Sequence, residues 1–182
     1  PCSWMEFEVE EIENKNFKID RVYIAKSNPK QLDRLDHPKF RILSFDMTIY
    51  GIKGATKSAQ DPIIIISAMD DGEISVQFIA EDKDDKTIIE KFIEFVNEID
   101  PDILVGYGSN QEHLPYIISR AEKYGIRLSL NRDGGAPHRS VYGHISLTVR
   151  ANIDLYDFSD DFTQVKIKSL ENIARFLGVL KI

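Results

Sequence analysis

The chain has 182 residues, 23 Lys and Arg against 30 Asp and Glu, and a formal net charge of −7. At 42% apolar and 29% charged it has the composition of a globular chain long enough for one domain with a real core, and its longest apolar run, Ile63 to Ile66, excludes a membrane-spanning helix. A single cysteine, Cys2, excludes an internal disulfide and a cysteine-built zinc site, and with no basic-then-apolar leader it points to the reducing cytoplasm with no membrane partner.

Residues 5–40 alternate charged and apolar side chains (Phe7, Val9, Ile12, then Val22, Tyr23, Ile24) and read as a strand or two plus a connector ending at His37-Pro38. Pro1 to Trp4, ahead of Met5, read as a remnant of cloning. The chain therefore divides into an N-terminal segment, 1–37, and a domain proper, 38–182. Arg41 to Met47 is apolar enough for a short buried strand, and Gly51 to Pro62 is a polar loop. Ile63 to Ala68 and Ile74 to Ala80 are strands joined by Asp70-Asp71-Gly72, a hairpin signal. From Thr87 to Ile99, Ile88, Ile89, Phe92, Ile93 and Val96 share one helical stripe opposite Glu90, Glu94 and Glu98, and Asp100-Pro101-Asp102 ends that helix. Ile103 to Gly106 is a buried strand. Gln111 to Tyr124 is a second helix with Leu114, Ile117, Ile118 and Ala121 at helical spacing and Gly125 as its stop.

Beyond it, Asn131 to Pro137 is a Gly-rich loop, Ser140 to Val149 a hairpin turning near Gly143, and Asn152 to Tyr156 a further buried strand. A last helix runs from an N-cap at Ser169 to Leu177, with Gly178 after it. Three antiparallel strands, a helix, a strand, a helix and a strand predict an α/β fold: a mixed sheet with helices packed on it, in the order of the ribonuclease H-like fold.

Charge is uneven. Residues 1–119 carry 13 basic and 23 acidic side chains, residues 120–182 carry 10 and 7. An acidic chain is a poor autonomous nucleic-acid binder, because phosphate neutralisation supplies most of that affinity. A local basic surface can still steer a strand delivered by a neighbouring domain; Arg127, Arg132, Arg139, Arg150, His138 and His144 fall close together in sequence. Scattered solvated charge is the competing reading.

Several segments carry a resemblance: Leu43-Ser44-Phe45-Asp46, Asp61-Pro62-Ile63-Ile64, Asp100-Pro101-Asp102-Ile103-Leu104-Val105-Gly106-Tyr107, Arg132-Asp133-Gly134, Tyr142-Gly143-His144 and Asp154-Leu155-Tyr156. In that order they make the chain resemble, over about residues 38–182, the 3′–5′ exonuclease domain of an archaeal-type B-family DNA polymerase. The resemblance implies phosphodiester hydrolysis by two divalent metals on clustered carboxylates, magnesium preferring oxygen ligands. Its first motif is Asp-x-Glu on a strand, where a spacing of two puts both carboxylates on one face. This chain reads Asp46-Met47-Thr48, so Asp46 is kept and a neutral hydroxyl, Thr48, replaces the glutamate.

The second motif resembles Tyr-Asn-x-Asn-x-Phe-Asp-x-Pro-Tyr. Here Tyr107, Asn110, Pro115 and Tyr116 keep the frame, while His113 stands at the aspartate position. Imidazole suits zinc, copper or nickel and is a poor magnesium ligand; Glu112, one residue away, points about 100° off on a helix and is no substitute. The third motif, Tyr-x-x-x-Asp, is expected on a helix beyond Ile182. Tyr156 to Asp160 fits its pattern as a decoy, and Asp154 and Asp157 read as strand-end hydrogen bonding and solvated charge.

Asp46 has two readings, a core aspartate capping a turn or a residual metal ligand, and the surrounding motif favours the second. Its donor set implies that Mg or Mn is reached only through Asp46 and is not bound tightly. His113 reads as a helix first-turn histidine before it reads as a ligand, and His37, His138 and His144 as surface or loop residues. Tyr107, Tyr116 and Tyr142 either stack on bases of a single strand or fill the core. The resemblance implies that the hairpin from Arg139 to Arg150 lies near a primer–template junction. The candidate DNA contacts are thus Tyr107, Asn110, Arg132, Arg139 and Tyr142, with DNA and the remaining polymerase domains as partners. The resulting expectation is an exonuclease-like domain that has lost hydrolysis and is kept for structure or DNA contact. A working exonuclease with unusual ligands and a free-standing ribonuclease H-like interaction module are the alternatives.

Overall fold

The structure, a computed structural model, describes residues 4–14, 20–34, 36, 38–51, 57, 60–71 and 74–179. The N-terminal segment folds as two short antiparallel ladders: β1 (Trp4–Glu6) pairs with β4 (Lys30–Leu32), and β2 (Val9–Ile12) with β3 (Val22–Ala25). That is more strand than the sequence suggests, because each piece is three or four residues long and too short to show a period. Trp4 belongs to the first ladder. It pairs with Leu32, its indole N–H donates to the Asp36 carbonyl at 2.7 Å, and Arg34 lies 4.4 Å over its ring. Cys2, His37 and Gly72 lie outside the described residues.

Five strands make the main sheet: β5 (Ile42–Ile49), β6 (Ile63–Met69), β7 (Ser75–Ile79), β8 (Ile103–Gly106) and β11 (Ala151–Asp154). Their order across the sheet is β11-β8-β5-β6-β7, with β5–β6 and β6–β7 antiparallel and β5–β8 and β8–β11 parallel. The β6–β7 turn closes through the Asp70 carboxylate, which accepts the Ile74 N–H at 2.8 Å.

Leu43, Phe45 and Met47 of β5 point inward with Ile63, Ile66, Ala68 and Leu104, so the alternate residues Ser44, Asp46 and Thr48 lie on the other face. The buried stripe of α1 (Asp85–Ile99), formed by all five apolar residues expected of it, packs on that inner face, with Phe92 5.5 Å from Phe45. The helix begins two residues before its expected start, because Asp84 caps it by accepting from Lys86 N–H and Thr87 Oγ1. α2 (Leu114–Tyr124) adds Leu114, Ile117 and Ala121 to the same core. Its junction with α1 holds a buried polar knot. The Asp85 carboxylate accepts from Arg120 Nε and Nη2, the Tyr124 hydroxyl and the Ile63 N–H.

The second helix starts three residues later than its expected position at Gln111. Ser109 to His113 form a π-helical turn instead, with His113 N–H reaching back to the Gly108 carbonyl at 3.3 Å. Pro115 explains this: its missing N–H and its ring are tolerated in a first helical turn but not further inside.

The hairpin after α2 pairs β9 (His138–Arg139) with β10 (Ile145–Ser146) around a turn at 140–144, so its first strand lies earlier than expected. After β11 the chain enters a 3₁₀ turn, Leu155–Asp161, where the sequence suggested continued strand. α3 (Leu170–Phe176) then starts at its Ser169 cap.

Candidate active-site groove

β5 presents Asp46 on the sheet face away from the helices, its side chain 68% exposed, with Thr48 two residues along on the same face. The π-helical turn delivers His113 to it: His113 Nε2 lies 3.4 Å from Asp46 Oδ1. Two glycines make that delivery possible. Gly106 closes β8 where a Cβ would stand 2.7 Å from the Ser109 Cβ, and Gly108 holds φ at +82°. Asparagine, which the resembling motif carries at the Gly108 position, is the other residue that tolerates such a φ, so this difference from the motif is conformationally neutral.

The imidazole is buried, and the Phe45 ring meets it edge-on at 5.9 Å between centroids. Its Nδ1 is a buried atom without a hydrogen-bond partner among the described residues. Of the sequence-predicted motif positions, Asp46 and His113 meet, and Thr48 shares Asp46's face of β5. What they offer is one carboxylate, one hydroxyl and one imidazole, where a magnesium pair needs several carboxylate oxygens. No group of three or more His, Cys, Asp or Glu side chains able to hold a metal is found among the described residues. On that donor set the site does not fit a divalent-metal pair. Glu112 is exposed in the same turn.

Other candidates sort differently. Asn110 is 2% exposed, and its amide is fully engaged inside the protein. Its Oδ1 accepts from Ile145 N–H and Asn152 Nδ2, while its Nδ2 meets Asp157 Oδ2 at 3.2 Å and His144 Nδ1 at 3.1 Å. Arg132 is engaged as well, bridging Asp100 Oδ1 at 2.9 Å and Asp102 Oδ1 at 2.8 Å, and Arg150 reaches Asp100 at 3.0 Å. Against the opposing effect of burial, the guanidiniums hold the Asp100 carboxyl below the usual carboxylate range, and the Arg41 N–H together with Arg132 does the same for Asp102. Burial pulls the Arg150 guanidinium down from its ordinary value.

The open alternatives for the tyrosines resolve one by one. Tyr116 is core, its hydroxyl donating to the Asp61 carbonyl. Tyr142 stands 87% exposed at the hairpin tip, beside exposed Arg139 and His138. Tyr107 is half-buried at the edge of the groove. Its hydroxyl donates to the Lys168 carbonyl at 2.6 Å, its ring stacks edge-on against Tyr156 at 5.5 Å, and burial raises its phenol above the ordinary value.

Asp154 is the residue whose importance the sequence understated. Its carboxylate, 2% exposed, accepts the N–H groups of Gly108 at 2.7 Å, Asn110 at 2.8 Å and Tyr156 at 2.9 Å, fastening the end of β11 to the π-helical turn. Its reading as a strand-end hydrogen bonder was the available signal, but not the number of bonds. Asp157 is engaged by Asn110 and His144 and is not merely solvated.

Asp46 faces a groove of 710 Å³ that crosses the outer face of β8, β5, β6 and β7. Comparison with known proteins places the chain as a whole. The family model described as DNA polymerase family B, exonuclease domain, matches residues 1–173, so the match takes in the N-terminal ladders as well. DNA polymerase 2 of Aeropyrum pernix is 35% identical over 188 residues, covering 100% of this chain and 23% of that protein. The DNA polymerase of Archaeoglobus fulgidus is 35% identical over 168 residues, covering 90% of the chain and 20% of that protein. The structure of the family B DNA polymerase from Pyrobaculum calidifontis superimposes with a TM-score of 0.90 at 36% identity, over 100% of this chain and 23% of that one. The chain thus spans between a fifth and a quarter of the proteins it matches.

Proposed function

The chain belongs to the exonuclease domain family of the family B DNA polymerases, and from that premise we propose that this domain has lost phosphodiester hydrolysis and serves its parent polymerase as a structural and DNA-contacting module. One observation carries the reading: among the described residues the ionisable side chain that meets Asp46 is His113, its Nε2 3.4 Å away, in place of a second carboxylate. Two-metal hydrolysis needs anionic oxygens on both sides of the metals to hold them against the strand's phosphate. Thr48 is neutral, and His113 is a poor magnesium ligand whose Nε2 is turned to Asp46. Mg or Mn is accordingly not held tightly.

DNA contact is assigned to the exposed hairpin, where Arg139 supplies charge and Tyr142 an open aromatic face. Arg132 and Asn110, engaged within the protein, are assigned to the scaffold.

The test is degradation of a 3′-labelled single strand by the full parent polymerase in Mg or Mn. No cleavage is expected, and Asp46→Ala should change nothing, while binding is retained and weakened by Arg139→Ala combined with Tyr142→Ala. The double substitution Thr48→Glu with His113→Asp should gain metal-dependent cleavage over its parent. Cleavage by the natural protein that Asp46→Ala abolishes would overturn the reading in favour of a working exonuclease with unusual ligands.

A further inference from the structure

The main sheet ends differently at its two edges. At one edge, Asn152 of β11 donates to the Ile145 carbonyl of β10 at 3.1 Å and to Asn110 Oδ1 at 2.9 Å, so that strand is tied to what lies beside it. At the other edge β7 pairs with β6 alone among the described strands. The ladder between β6 and β7 determines which backbone groups are left over. Asp70 N–H donates to the Ile74 carbonyl and Ala80 N–H to the Ile64 carbonyl, so the hydrogen-bonded pairs alternate through Val76 and Phe78. Ser75, Gln77 and Ile79 therefore turn their N–H and C=O groups away from β6, into the open edge.

Edge strands of folded proteins are ordinarily blunted by lysine, proline or a bulge. β7 has none of these: it reads Ser-Val-Gln-Phe-Ile, and its register with β6 runs unbroken. The side chains beside the edge are unfinished in the same way. Val76 and Phe78 on the inner face, and Phe95 of α1, pack against the core but stay only partly buried, with the Phe78 and Phe95 rings edge-on at 5.8 Å. Ile79, on the outer face, is 63% exposed. Both ends of the strand carry exposed negative charge, Asp71 in the turn before it and Glu81 and Asp82 after it. Lys83, next in sequence, lies 4.0 Å over the Tyr50 ring.

We propose that β7 is a docking edge for an extended segment of a partner protein, which adds a sixth strand antiparallel to β7 in the plane of the sheet. The chemistry of that segment follows from the edge. Its alternate residues facing α1 are apolar and cover Val76, Phe78 and Phe95. The residues between them supply the N–H and C=O groups that answer Ser75, Gln77 and Ile79. Lys or Arg at its two ends answers Asp71 on one side and Glu81 with Asp82 on the other. The same carboxylates disfavour two other occupants. A nucleic-acid strand would bring phosphates to them, and a second copy would bring the same acidic turns and another formal charge of −7. The edge is separate from the Asp46 groove, and its use does not depend on whether hydrolysis is lost.

The probe is a short fluorescent peptide that alternates Val and Thr and carries two Lys at each end, titrated by anisotropy into the full parent polymerase at physiological salt. Saturable binding of one peptide per polymerase is expected, weakened several-fold when Glu replaces the terminal Lys. Methylating the amide nitrogen of the central Thr, whose N–H points to the edge, should abolish binding, whereas methylating that of a neighbouring Val should leave it nearly unchanged. Gln77→Pro removes an outward N–H that β6 does not use, and Ile79→Lys blunts the edge. Each variant should lose the peptide while circular dichroism shows it folded, and Ile79→Lys carries the test if the proline disturbs the strand. No binding, binding that survives Ile79→Lys or the central N-methyl group, or equal binding of the Glu-ended peptide would overturn the proposal. So would displacement of the peptide by single-stranded DNA, or self-association of the polymerase that competes with it in the ultracentrifuge.

Discussion

Asp46 on β5 and Asp154 at the end of β11 are two aspartates with opposite surroundings. Asp46 stands mostly in solvent beside one imidazole, whereas Asp154 is buried and accepts three backbone N–H groups. Hydrogen bonds to a charged acceptor stabilise more than neutral ones, and removing a buried acceptor leaves its donors without partners. Asp154→Ala is therefore expected to cost roughly 3 kcal/mol, and Asp46→Ala to change stability by less than about 0.5 kcal/mol. Urea denaturation of the two variants side by side measures the contrast. Equal effects would mean that Asp46 is a structural residue and that its interpretation as a catalytic remnant is wrong.

At the scale of elements, the π-helical turn and the α1–α2 junction decide where the groove residues stand. The turn exists because Pro115 cannot sit inside an α-helix begun at Gln111, and because Gly106 and Gly108 permit the chain to double back from β8. The junction is fixed by the Asp85–Arg120 pair, both residues almost wholly buried, with Tyr124 and the Ile63 N–H completing the carboxylate's shell. Breaking a buried pair from one side leaves an uncompensated charge. Arg120→Ala should thus lower unfolding stability by about 3–5 kcal/mol, while replacing both Asp85 and Arg120 by apolar residues of similar volume should cost much less. Thermal melting of the single and double variants distinguishes an ion pair that stabilises from one that is merely tolerated.

Across the whole molecule, one buried and several half-buried ion pairs stitch distant segments together. Asp85 joins the start of α1 to α2; Asp100 and Asp102 join the end of α1 to Arg132 and Arg150 and so hold the hairpin segment against the sheet. All three carboxyls are held below 3.8, their ordinary value, in opposition to their own burial, by hydrogen bonds and charge from these arginines, joined by the Tyr124 hydroxyl and Ile63 N–H at Asp85 and by the Arg41 N–H at Asp102. A carboxyl depressed in the folded state contributes stability above its unfolded value and loses it as pH falls through the folded one. Stability should therefore be flat from neutral pH down to about 5 and fall steeply below 3.8. Chemical denaturation midpoints between pH 7 and pH 2 read this directly, and Asp100→Asn should flatten part of the fall. A midpoint that stayed level below pH 3 would show that these pairs do not support the fold.

Much of this was legible from local pattern alone. The α1 stripe, the strands from β5 through β8 and the Ser169 cap follow from hydrophobic period and capping chemistry, which depend on neighbours a few residues apart. The loss of two motif carboxylates is equally a property of the sequence, since Thr48 and His113 hold their positions whatever the fold does. Three features came only from the tertiary structure: the His113–Asp46 contact, the engagement of Asn110 and Arg132 inside the protein, and the three-bond role of Asp154. Each joins residues tens of positions apart, Asp46 to His113, Arg132 to Asp100 and Asp154 to Gly108. Side-chain type and spacing state what a residue can do, but its partner is set by which strands lie adjacent in the sheet, and that is fixed by packing the core.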